Sequence, residues 1–120
     1  MKREIKFRAF QDGKMIKSPI NSNYGLQKFF SSLYEDAPIM QFTGLKDRNE
    51  IDIYELDIVR FVNPYSKKEY INVVIFDSLF ASFSLFENVN KTYANESDWL
   101  KIIEVEVIGN IYENHKLINL

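Results

Sequence analysis

Cysteine is absent from this chain of 120 residues. That excludes disulfides and thiolate zinc sites, and it leaves a reducing compartment open. There is a single histidine, so no His-rich metal centre can be built. His115 sits in "ENHKL", which reads as an exposed C-terminal turn. Four glycines, scattered singly, form neither a P-loop nor a dinucleotide fingerprint. No G-x-S-x-G elbow is present to carry a Ser-His-Asp nucleophile. Long hydrophobic runs are missing as well, with nothing near the roughly 18 apolar residues that span a bilayer. The opening "MKREIKFRAF" has charges but no apolar stretch behind them, so it does not read as a signal peptide. These absences together lead us to expect a cytoplasmic protein with no cofactor, no metal and no membrane partner, and not an enzyme.

What is present is an ordinary globular balance. Hydrophobic residues make up 46 % and charged residues 27 %, with ten Phe and seven Tyr. That much apolar surface offsets the entropy of ordering the chain, and the length suits one domain with one core. The net charge of −2 hides an asymmetry. Residues 1–20 hold six basic side chains (Lys2, Arg3, Lys6, Arg8, Lys14 and Lys17) against Glu4 and Asp12, a balance of +4 that leaves −6 on the rest. Such separation can create a basic face able to attract phosphates or an acidic partner, with Lys2, Arg3, Lys6 and Arg8 as the candidate phosphate contacts. The plainer reading is a solvated strand face.

Hydrophobic periodicity gives the organisation. "EIKFRAF" alternates Ile5, Phe7 and Ala9 against Lys6, Arg8 and Phe10, the period of a strand with one buried face. Asp12-Gly13 then signals a hairpin turn, and "MIKSPI" supplies the returning strand. Leu26, Phe29, Phe30 and Leu33 fall at i, i+3, i+4 and i+7, which predicts a helix within residues 22–35, capped by Ser22 or Asn23 and stopped before Pro38. "IMQFT", "DIVRFV", "INVVIFD", "ASFSLFENV" and "IIEVEVIGNIY" read as further strands, with a helical turn expected at Ser97–Leu100. Gly109, inside the last strand, is expected to mark a bulge or bend. Many short strands separated by turns predict a small antiparallel barrel or sandwich.

Three blocks, "REIKFRAF" with "KMI", "MQFTGLKDRN" with "IYELDIV", and "EVIGNIYEN", resemble the YopX family of bacteriophage and prophage proteins, in the family's order. The resemblance implies a mostly β, SH3-like small barrel with an N-terminal β-hairpin and one short helix, and it brings no functional residues. The corresponding divisions are 1–20 for the hairpin, 22–35 for the helix or a variable insert, and 39–118 for the barrel. Two positions depart from the family pattern, which has glycine where this chain has Glu50 and Leu56. If either corner needs a positive φ, a Cβ there costs roughly 1 kcal/mol or more.

The acids Asp47, Glu50, Asp52, Glu55 and Asp57 crowd one stretch. A calcium loop started at Asp47 fails, because Ile51, Asp52 and Ile58 occupy its fifth, sixth and twelfth positions. Glu55 and Asp57 as a glycosidase pair would need a cleft that a small barrel hardly offers. The acids read best as a solvated loop and strand face, with Asp57 accepting backbone amides at the turn that enters its strand.

Aromatics near predicted loops and strand ends, Tyr65, Tyr70, Tyr93, Trp99 and Tyr112, suit a peptide groove or base-stacking platform. The Leu26-Phe29-Phe30-Leu33 stripe either packs on the barrel or meets another subunit. We therefore expect an interaction module that binds a host or phage protein and forms a homo-oligomer. Nucleic-acid binding through the basic hairpin is the alternative, and an unrecognised carboxylate enzyme the third reading.

Overall fold

The computed structural model describes residues 4–18, 23–62, 67–77, 82–87, 93–94 and 105–118. Among the described residues the chain folds as a mostly-β, barrel-like structure with one α-helix. Strands β1 (Phe7–Gln11) and β2 (Lys14–Lys17) form the N-terminal hairpin, followed by helix α1 (Asn23–Ser31). Then come β3 (Ile39–Lys46), β4 (Asp52–Tyr54), β5 (Asp57–Val62), β6 (Glu69–Asp77), β7 (Ser82–Glu87), β8 (Tyr93–Ala94) and β9 (Glu106–Asn110), and a 3-10 turn at His115–Ile118. They build two antiparallel sheets, ordered β2-β1-β3-β4 and β8-β7-β6-β5-β9. No helix among the described residues is long and apolar enough to cross a membrane.

The local signals act as expected at the hairpin. Asp12 and Gly13 both take positive φ, 54° and 72°, so β1 and β2 meet through a two-residue turn whose twist matches the strands. The helix is shorter than its apolar stripe and ends before Leu33. Phe29 is buried, Leu26 and Leu33 are half-buried, and Phe30 lies edge-on to Phe7 of β1 at 5.3 Å. The stripe therefore packs on the hairpin sheet, with Phe30 still 39 % exposed. At the other end, the expected irregularity at Gly109 is a register shift. Ile58 pairs with Gly109 and Val59 with Val107, leaving Ile108 as the extra residue. A Cβ at Gly109 would lie 2.5 Å from Asn114 Oδ1, and that oxygen accepts the Asn110 amide.

The core is centred on Ile53, Val59, Phe61, Val74 and Val105, with Leu45, Tyr70 and Val107 packed against it. Met40 and Ile58 are also fully buried. Each such side chain contributes about 1.5–3 kcal/mol relative to an exposed one. Tyr70, expected at a partner surface, stacks on Phe61 at 5.3 Å and belongs to this core.

The β3–β4 and β4–β5 corners both require the left-handed backbone region. Glu50 and Leu56, the two positions where glycine would be expected, each have φ of 65°. Glu50 is exposed, so replacing it uncovers little apolar surface. Glu50→Gly should raise stability by up to about 1 kcal/mol, the relief of the left-handed Cβ less the entropy that glycine adds to the unfolded chain. Leu56→Gly should be neutral or stabilising in thermal melts. A clear fall in melting temperature for Leu56→Gly would mean that the half-buried leucine packs more than its backbone costs.

Candidate functional site: a charged cleft under the hairpin

The alternation in β1 places Lys6 and Arg8 on one side, and that side faces inward. Lys6 and Arg8 are only 6 % and 5 % exposed, whereas Ile5 is 53 % exposed. For Lys6 and Arg8 this corrects both readings of the basic face: these two are neither solvated nor free to contact phosphate. The opposite side of β1 is not left bare, since Phe7 carries α1 through Phe30 and Ala9 is fully buried.

The acidic stretch receives these cations. Lys6 Nζ lies 2.6 Å from Asp52 Oδ2 and 3.1 Å from Glu4, over the Phe42 ring at 4.4 Å. Asp52 also faces Lys46 Nζ at 3.2 Å. Arg8 reaches further in. Its Nη2 sits 2.9 Å from Asp57 Oδ1 and donates to the Glu55 carbonyl at 3.1 Å, its Nε lies 3.4 Å from Met40 Sδ, and its plane covers Tyr54 at 4.7 Å. Asp57 Oδ2 accepts the Tyr54 amide at 2.8 Å, the turn bond expected of it.

The remaining acids fasten backbone. Asp47 is buried, which corrects its reading as part of a solvated loop. Its Oδ1 accepts the amides of Asn49 and Ile51, and its Oδ2 takes that of Val107 across to β9. Glu55 Oε1 accepts the Gln41 amide at 2.7 Å while its own amide donates to the Gln41 carbonyl. Only Glu50 of the five is exposed.

Burial and pairing pull the titrations in different directions. Burial pushes the Asp57 carboxyl above its ordinary value, against the opposing charge of Arg8 and the Tyr54 amide bond. Burial acts the same way on Asp52 but is outweighed by the hydrogen bonds from Lys6 and Lys46, so Asp52 falls below 3.8. Lys6 is disfavoured by burial and yet raised above 10.5 by its bonds to Asp52 and Glu4.

Between the hairpin, the β4–β5 corner and β9 opens a cleft of about 230 Å³. Arg8, Asp57 and Tyr54 line its depth, and Met15 and Lys17 of β2 line its hairpin side. Among the described residues, no group of three His, Asp or Glu side chains stands where it could hold a metal ion. The sequence-predicted contacts do not converge here. Lys2, Arg3, Tyr65 and Trp99 lie outside the described residues, and Tyr93 is described through its backbone alone, in β8. Tyr112 stacks on Phe10 at 5.2 Å, and His115 is exposed. Met15 and Tyr54 were not among the candidates, and their apolar or amphipathic character gave no cue to a cleft.

The sequence model of the family described as YopX protein matches residues 4–119. The chain belongs to that family. Its fold is similar to the crystal structure of protein EF1440 from Enterococcus faecalis, with a TM-score of 0.54 and 22 % identity over 96 % of this chain and 98 % of that one. No curated protein matches the sequence significantly.

Two outcomes follow from the ion pairs. Asp57→Asn keeps an acceptor for the Tyr54 amide but leaves the buried Arg8 guanidinium without its counter-charge. It should cost about 3–5 kcal/mol in chemical denaturation. Asp52, with its lowered pKa, contributes stability that is fully present above 3.8 and is lost as pH falls through its folded value. Asp52→Asn should therefore be less stable than wild type at neutral pH and lose less stability on acidification. A steeper acid loss in Asp52→Asn than in wild type would contradict the pairing.

Proposed function

We propose that this YopX-family chain is a phage- or prophage-encoded, non-enzymatic interaction module that works in the bacterial cytoplasm, binds a host or phage protein and associates with itself. The observation that carries the reading is the outer side of the N-terminal sheet. Ile16 and Ile39 flank Ala9 in register, Ile5 precedes Phe7 on the same side, and Phe30 leans over Phe7 from α1. Tyr34 adjoins them, its amide bonded to the Gln11 side chain. Ile39 is 48 % exposed and Tyr34 58 % exposed, and Ile5, Ile16 and Phe30 are exposed too. Gathered apolar side chains of this kind mark association surfaces, whereas scattered ones do not.

The environment of the carboxylates favours a scaffold over catalysis. Asp47, Glu55 and Asp57 accept backbone amides, and Asp52 and Asp57 hold buried cations, so these acids are committed to corners and pairs. The nucleic-acid reading loses support for a parallel reason, since Lys6 and Arg8 spend their charge on Asp52 and Asp57.

Light scattering and capture from a bacterial lysate test the proposal together. Wild type should be oligomeric, and it should retain a defined protein. Ile39→Lys and Phe30→Lys, each placing a charge on the outer side, should yield monomers and lose that protein. A monomeric wild type whose captured protein is indifferent to both variants would contradict it.

A further inference from the structure

The outer strand of the hairpin offers a second surface, distinct from the apolar side of the sheet. In an antiparallel pair, directly opposed residues alternate between exchanging both hydrogen bonds and pointing those groups away from each other. The Ser18 amide donates to the Phe7 carbonyl at 2.8 Å, which fixes the phase. Ala9 with Ile16 and Gln11 with Lys14 are then bonded pairs in the β1–β2 register, and Arg8 with Lys17 and Phe10 with Met15 are not. The Phe10 amide duly turns the other way, to the Pro38 carbonyl at 3.1 Å. The N–H and C=O of Met15 and Lys17 therefore point away from β1, along an edge on which no described strand pairs, because β2 is the terminal strand of its sheet.

The side chains of that edge carry a charge signature. Lys14 and Lys17 are exposed, and neither makes an ion pair with a described carboxylate, whereas Lys6 and Lys46 both do. Alternation puts Met15 and Lys17 on the inner side, where they line the cleft, and Lys14 and Ile16 on the outer side. Beyond Met15 the cleft wall is mixed: Ile51, Tyr54 and Val107 are apolar, the Arg8–Asp57 pair is neutralised, and Glu113 at the far rim accepts the Asn110 side-chain amide. Two copies joined through β2 would gather four lysines along one seam, and that like charge disfavours self-pairing at this edge.

We infer that β2 is a docking edge for an extended acidic segment of another protein, which adds to the sheet as a strand. The inference rests on the reading of the chain as an interaction module and names a recognition mode for it, main-chain pairing with side-chain pockets. Running antiparallel to β2, the segment places residues opposite Lys17, Ile16, Met15 and Lys14 in turn. The first and fourth are carboxylates that meet the lysines. The third is apolar and drops into the cleft past Met15, and the second lies against Ile16. The preferred pattern is acid, apolar, apolar, acid.

The test uses the whole chain and a synthetic peptide with that four-residue pattern in an extended host, read by fluorescence anisotropy. The peptide should bind, and Lys14→Glu with Lys17→Glu should weaken it by at least about tenfold. N-methylation of the peptide amides that face β2 should weaken it by a similar factor, while N-methylation of the alternate amides should not. The peptide arm needs no variant of the protein, so misfolding cannot mimic its result. Failure of the peptide to bind, or binding that ignores which amides are methylated, would overturn the docking edge. Self-association and lysate capture through Ile39 and Phe30 would stand apart from that failure.

Discussion

Two cations taken inside the molecule set the conditions for everything around them. Arg8 and Lys6 are buried, and a buried charge is tolerated only when it is paired and its donors are satisfied. Arg8 meets that condition with Asp57, the Glu55 carbonyl and the face of Tyr54. Lys6 meets it with Asp52, Glu4 and the face of Phe42. All the partners except Glu4 come from β3, β4, the corner that follows it or the first residue of β5. The N-terminal strand is thereby fixed to the middle of the chain, some forty to fifty residues away in sequence.

This arrangement explains why the β4–β5 corner keeps its shape at a local cost. Leu56 occupies the left-handed region although it carries a Cβ. The turn around it is held by the Asp57 bond to the Tyr54 amide, by the Leu56 amide bonding the Val74 carbonyl, and by the Ile111 amide bonding the Leu56 carbonyl. Asp47 does the same for the preceding loop and extends it to β9. The acids thus act as fasteners between strands, and the cleft is the space left where the hairpin, the corner and β9 fail to touch.

Much of the architecture was legible in local pattern. Asp12-Gly13 announced the hairpin, the apolar stripe announced α1, Gly109 announced its bulge, and Asp57 its turn bond. Those features depend on neighbours within a few residues. The orientation of β1 was not legible, because period-two alternation distinguishes two sides without saying which one faces inward. Phe7 and Ala9 looked like the side facing the core, but Phe7 meets α1 through Phe30 and Ala9 is buried between Ile16 and Ile39. Lys6 and Arg8 went inward because acids far along the chain met them there. The excess of +4 in the first twenty residues and the acids of 47–57 were both visible, and their complementarity was the signal that local reading could not join. Strand β4, three residues long, was too short to carry a period of its own.

The inward basic side also shapes the functional reading, since it removes two cations from the surface and leaves apolar side chains and a lysine-bearing edge as the features a partner would meet. Whether that side is truly fastened from within is best measured by a double-mutant cycle on Arg8→Met and Asp57→Leu. The buried pair predicts a coupling energy near the upper end of the range of about 0.5–3 kcal/mol for residues in contact, with the double variant more stable than the sum of the singles implies. Additive effects, agreeing within about 0.5 kcal/mol, would contradict the account.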